Sequence, residues 1–412
     1  YMTATRNVID QEKMAVILQE VVGKQYGDHF YPNFSGVLRS INYYPLGYEK
    51  SEEGIASLAL GLGKYIVDGG QTLRVSPYHP TQVLQTSDME IALRQTQTQF
   101  YALDMKRVGV DFKVDDGFNI LKLKVKDAEN DGALNFIAST YDANDRVIRD
   151  GLYDGGRKII SFNGVLRHGV FPLPELLKLS MHHGADSMRR PVEIEFACTL
   201  NDDRTGEFYL LQIRPIVDSK QVLDQDIMAI PDDECLLRSH NSLGHGVSDD
   251  IVDVVYVKTD ENFTASDNPV VAMEVERINK KFLADGKNYV LVGPGRWGSS
   301  DSWLGVPVKW PHISAAKLIV ETTLKSYSVD PSQGTHFFQN LTSFGVGYFT
   351  IDENKGMGFF RKEILDAMPA VEETPHVRHV RFSKPLHIMM DGMKQEGLVI
   401  CDTEDVKGND AR

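Results

Sequence analysis

A mixed α/β (α+β) chain of two units is what the sequence predicts, and three observations predict it. Apolar runs of strand length recur between polar loops, as at Tyr289-Val290-Leu291-Val292. Helices are read in two places, one led by Pro174 and bearing Leu176, Leu177 and Leu179, the other with Val271, Val275, Ile278 and Phe282 at helical spacing. A polar stretch from Asp218 to about Pro231 divides the chain, so residues 1–218 are read as one unit and 225–401 as a second.

The elements follow in order. Met14-Ala15-Val16-Ile17-Leu18-Gln19 is almost wholly apolar and ends in polar residues, which predicts a buried strand. Ser35-Gly36-Val37-Leu38 predicts the next, and Leu60-Gly61-Leu62-Gly63-Lys64 and Asp68-Gly69-Gly70 are Gly-rich stretches. Residues 111–147 read as antiparallel strands, with 121–125 alternating and Asp131-Gly132 as a turn. Pro174 leads a predicted helix that stops near Gly184, placing His182 and His183 at its end. Residues 192–196 and 208–214 flank a polar loop at 201–206 and predict a hairpin that Pro215 closes. In the second unit a helix is expected to begin near Pro269, capped by Asp267 or Asn268 and stopped by Gly286. Residues 289–292 form a predicted strand, a further helix is expected near 313–326, and 402–412 reads as a polar tail.

Composition narrows the partners. With 42% hydrophobic and 25% charged residues the chain has an ordinary globular make-up. Its formal charge of −14 argues against nucleic acid, whose binding needs a basic surface, and leaves a small anionic substrate open through a local Arg cluster. No apolar run approaches the roughly 18–20 residues that span a bilayer. No membrane partner is therefore expected. Three widely separated cysteines, Cys198, Cys235 and Cys401, without a CxxC pair, fit a reducing compartment, and a cytoplasmic protein is the expectation.

The hairpin carries the chemistry. Side chains two apart on a strand share a face, so Glu193 and Glu195 project together, as do Leu210, Gln212 and Arg214 on the partner strand. Two carboxylates, an amide and a guanidinium converging on one patch suit magnesium and a triphosphate. Alternating Glu-Ile-Glu-Phe equally describes any half-exposed strand with its charges in water, and the pattern leaves both readings open. Residues 293–300 approach a phosphate-binding loop, but Ser299 stands where Lys is needed and no helix pattern follows. That stretch reads as a tight turn that sets Arg296 and Asp301 at a surface. His240, His245 and His336 read as loop histidines, and the five-residue gap between the first two fits no zinc spacing.

Glu193-Ile194-Glu195-Phe196 followed by Leu211-Gln212-Ile213-Arg214-Pro215 resembles the end of the ATP-grasp domain in the phosphoenolpyruvate synthase and pyruvate phosphate dikinase family. The 14–19 run, Ser35-Gly36-Val37 and Gly61-Leu62-Gly63 resemble earlier pieces of that domain in the same order, so the likeness covers 14–75 and 190–216. Residues 293–299 and 334–339 are similar to segments that follow such domains in synthase-like proteins, with no mechanism attached. The resemblance implies the C-terminal portion of an ATP-grasp-like domain, followed by a second α/β domain. It implies ATP and Mg2+ as cofactors, Glu193 and Glu195 as metal ligands, and Gln212 and Arg214 as the catalytic, phosphate-contacting pair. Gln19, Glu20 and Val22 would lie near adenine. The implied activity is a phosphotransferase reaction that turns ATP, pyruvate and water into phosphoenolpyruvate, AMP and phosphate; a homodimer is left open.

Two departures from the family pattern shape what is expected. The domain's earlier half, with a phosphate-covering loop and a Lys and Arg pair, is not found in the sequence, so the chain is expected to be a fragment, inactive by itself. The family's Thr-x-Gly-Gly-x-Thr-Ser-His type motif is not found either. A nucleotide-sensing module without phosphohistidine catalysis, or a dikinase with another acceptor, therefore stand as alternatives.

Overall fold

The computed structural model describes residues 16–107, 117–216, 226–259, 263–299, 301, 303–323, 341 and 345–402. It is a mixed α/β structure. In the first part, five strands run in the order Gly206–Pro215, Val192–Leu200, Phe34–Arg39, Ile55–Leu60 and Leu73–Val75, every neighbour antiparallel. One face of this sheet packs on the helix Leu173–Met188 through Leu173, Leu177 and Met181, within a core that also holds Phe34, Phe100, Phe162 and Phe196. The other face is open, and this side of the sheet holds the candidate site. Two smaller sheets, of four and three strands, complete the part.

Two glycines set close approaches in that sheet. Gly184 lets the helix settle on the hairpin: a Cβ there would lie 2.7 Å from the Ile213 side chain. Gly36 pairs with Phe196 across the strands, and a Cβ there would lie 2.2 Å from the ring, which is fully buried and stacked on Phe208. Gly36→Ala is therefore expected to destabilise the protein by about 1–3 kcal/mol, the usual cost of overpacking, in urea unfolding. Adding Phe196→Leu should recover part of that loss; an undiminished loss in the double variant would mean the ring is not the cause.

A ten-stranded mixed sheet dominates the second part. Its centre is parallel: Gly246–Val257, Tyr289–Pro294, Ala316–Thr322 and Gly347–Ile351 lie side by side. Helix Asn268–Asp285 makes the crossover between the first two of these strands, burying Val271, Val275, Ile278 and Phe282, and ends at Gly286 in the left-handed conformation.

The two parts meet along the segment joining Phe34–Arg39 to Ile55–Leu60. Tyr44 and Leu46 pack against the core of the second part. The Gly244 N–H donates to the Tyr43 carbonyl at 3.0 Å, and the Ser51 hydroxyl donates to the Gly392 carbonyl at 2.8 Å. The Tyr43 ring stacks on the His245 imidazole with centroids 4.5 Å apart.

Several expectations are met and others corrected. The 192–215 hairpin, the 268–285 helix and the strand from Tyr289 lie where the patterns put them. All three cysteines are buried, and none is in a disulfide. The helix expected near 313–326 is instead the strand Ala316–Thr322, because Leu318, Ile319 and Val320 are buried between parallel neighbours on both sides. Within 111–147 the helix Val125–Asn130 interrupts the expected strands, and Asp131-Gly132 ends that helix rather than turning a hairpin. The helix led by Pro174 runs on to Met188, so His182 and His183 sit inside it; Gly184 is a contact with the hairpin, not a stop. Residues 16–19 form no strand, and Val16, Ile17 and Leu18 are 75%, 89% and 93% exposed, since no described element covers them. Met14, Ala15, His336 and the tail from 403 lie outside the described residues. Among the described residues no helix is long and apolar enough to cross a membrane.

Candidate functional site

Antiparallel register lines up the open face of the five-stranded sheet in two rows. Arg214, Glu193, Arg39 and Ile55 form one row across four strands. Gln212, Glu195, Val37, Ser57 and Arg74 form the next across all five. Directly opposed residues on neighbouring strands share a face, so these side chains form a floor. A bulge after Glu195 shifts the register toward Phe196, which confines the acidic pair to this end of the hairpin.

Above that floor lies a cleft of about 860 Å3, lined among others by Arg39, Asn42, Tyr43, Gly69, Gly70, Arg74, Glu193, Glu195 and Arg214. The loop at Asp68-Gly69-Gly70 thus becomes part of the site wall. A second cavity of about 440 Å3 shares Arg74 with the first.

The charges on this floor are arranged unevenly. Glu193 is buried, and both its oxygens are engaged: Arg39 Nε donates to Oε2 at 2.7 Å and Arg214 Nε to Oε1 at 2.9 Å, with Arg214 Nη2 also donating to Oε1. Burial alone would push the Glu193 carboxyl upward; the hydrogen bonds and charges of Arg214 and Arg39 outweigh it and hold the group below the usual carboxylate range. Glu195 is half-buried, and among the described residues no cation pairs with it. Arg74 is held by Glu49 in a two-pronged pair at 2.9 and 2.8 Å, by Asn42 at 3.1 Å and by the Tyr44 carbonyl at 2.8 Å. That network ties the cleft wall to the segment on which the second part of the molecule rests.

The sequence-expected residues divide accordingly. Glu193, Glu195 and Arg214 line the cleft together. Gln212 pairs with Glu195 in register but is exposed and stays outside the lining. Gln19 Nε2 donates to the Leu211 carbonyl at 2.9 Å, which brings the 16–20 segment beside the second hairpin strand. Glu20 is exposed and Val22 half-buried, and neither lines the cleft. In the second part, His240 is paired with Glu396 at 2.9 Å and His245 is stacked on Tyr43. Gly293 leads into a turn at Gly295 with the buried Trp297 beyond it, and among the described residues from Gly298 to Val308 no helix follows. Arg39, Ser57 and Arg74 were missed. Arg39 had a signal: it follows Val37 by two on a strand whose neighbour carries the acids.

The residues present fit a divalent ion that arrives with its own oxygen ligands. Among the described residues no group of three or more His, Cys, Asp or Glu side chains could hold a metal alone. One unpaired carboxylate beside a second, with guanidiniums at hand, suits a hard cation already carrying phosphate oxygens.

A protein-family model described as pyruvate phosphate dikinase, AMP/ATP-binding domain, matches residues 1–234, more than half of the chain. No curated protein matches.

Proposed function

The chain belongs to the pyruvate phosphate dikinase AMP/ATP-binding domain family, and from that premise we propose that the hairpin floor is the metal–phosphate end of an ATP site in a phosphotransferase. The observation that carries the reading is the pair of in-register rows, which sets Glu193, Glu195 and Arg214 together in the cleft. In this reading residues 1–218 supply the nucleotide unit and 225–401 a second unit.

Each side chain has a distinct task. Glu195, with Glu193 beside it, holds the magnesium ion. When bound, that ion neutralises charge on the phosphates and orients them. Arg214 turns its guanidinium to the phosphate oxygens, where opposite charge counts most as the group leaves. Gln212, opposite Glu195, donates its amide to the same oxygens from the rim. Gln19, Glu20 and Val22 form the approach to the base. Pyruvate is the acceptor to test first, on the family likeness.

Calorimetric titration with MgATP tests this directly. Wild-type protein should bind, and the isosteric Glu195→Gln variant should bind at least about tenfold more weakly, since it removes the charge facing the metal. Equal affinity in the two proteins would refute the reading.

A further inference from the structure

Glu193 has one more arginine than it needs. Arg214 alone places two nitrogens on Oε1, which satisfies the carboxylate from one side. Arg39 adds a second guanidinium through Nε at 2.7 Å from Oε2, from the opposite neighbouring strand. Among the described residues the terminal nitrogens of Arg39 donate to nothing else, and its side chain is 56% exposed and lines the cleft. Two carboxylates, Glu193 and Glu195, therefore face two guanidiniums, Arg39 and Arg214, while Arg74, the remaining cation of the cleft, is neutralised by Glu49, which lines the adjoining cavity.

We propose that Arg39 is a positioning and selectivity residue: it fixes Glu193 and brings the patch to charge balance, so that the site takes a metal–nucleotide anion in preference to the bare divalent cation. The inference rests on the nucleotide reading of the hairpin. With Arg39 in place, one Glu193 oxygen is reserved for it and only the Oε1 side is exchanged between Arg214 and an incoming ligand. Without Arg39 the patch carries a net negative charge, which attracts a free cation and repels an anionic complex. Arg214, which donates to Oε1 through two nitrogens, then also stays on the carboxylate instead of turning to phosphate. A purely structural ion pair has no such two-sided signature; partly exposed pairs contribute about 0–1 kcal/mol to stability and nothing to ligand choice.

The test is Mn2+ binding followed by electron paramagnetic resonance, alone and with a non-hydrolysable ATP analogue, on wild type, Arg39→Met and Arg39→Lys. A unit charge a few ångströms from a half-exposed site shifts affinity by roughly five- to tenfold. Arg39→Met should accordingly bind Mn2+ alone about fivefold more tightly and the Mn2+–analogue complex about tenfold more weakly. Arg39→Lys should keep the wild-type order. Wild-type protein that takes up the complex, with Arg39→Met moving both affinities in one direction or neither, overturns the inference and leaves the nucleotide site standing. Wild-type protein that takes up no complex overturns both. Should the Met variant misfold, Arg39→Gln removes the same charge with a polar side chain and is read by the same two affinities.

Discussion

Arg214→Met is expected to weaken MgATP binding by roughly 30- to 100-fold while leaving the fold intact. The loss comes from charge-assisted hydrogen bonds to phosphate, worth about 1.5–3 kcal/mol each when a charged partner is involved. The fold should survive because the Arg214 side chain is 57% exposed and Glu193 keeps Arg39 as a partner. Calorimetry and a thermal melt on the same sample separate the two quantities. Affinity unchanged by the substitution would remove Arg214 from the phosphate site, whereas affinity lost only together with the melting transition would make it a structural residue.

A stability effect is expected outside the cleft, at Asp253→Ala. Asp253 is 1% exposed in the centre of the large sheet. It accepts hydrogen bonds from His379 Nε2 at 2.6 Å and from Arg381 Nε and Nη2 at 2.7 and 3.2 Å, all from the neighbouring strand. Removal of Asp253 leaves the buried His379 without its acceptor, while Arg381, 43% exposed, can turn to water; a buried donor left unsatisfied costs about 1–3 kcal/mol. A shift of the urea midpoint that corresponds to less than about 1 kcal/mol would show that His379 finds another partner and that Asp253 does not secure the two strands. Acid should act in the same way on the wild type. Burial alone would raise the Asp253 carboxyl, but the hydrogen bonds from His379 and Arg381 outweigh it and hold the group below its ordinary value. A depressed folded value contributes stability above the unfolded pKa of about 3.9 and loses it as pH falls through the folded one. The urea midpoint should thus hold from neutrality to about pH 5 and drop below about 4, and Asp253→Asn should flatten that drop.

What the sequence could and could not disclose follows from range of interaction. The Asn268–Asp285 helix was readable because its four buried apolar residues repeat at helical spacing and Pro and Gly mark its ends. The hairpin was readable because alternation is local. Ala316–Thr322 was not, since a short apolar run carries no period to tell a buried strand from a buried helix; only its parallel neighbours decide. The acids were singled out from their own strand. Their arginine partner from the third strand was not, because Arg39 meets Glu193 across 154 positions of chain and register is a tertiary property. Burial was equally out of reach: nothing in Val16, Ile17 and Leu18 themselves says whether a neighbour covers them.

The strip around Tyr43, Tyr44 and Ser51 bears on how such chains can be recombined. It furnishes Tyr43 and Tyr44 to the cleft, and Glu49 to the grip on Arg74, while resting on Gly244, His245, Val346 and Gly392 of the other half. A chimera spliced at the polar boundary, with a foreign second half, would inherit a nucleotide wall fitted to a surface it no longer has. The natural unit of exchange is the second half together with this strip, so a change of downstream partner and a change in the rim of the cleft should travel as one.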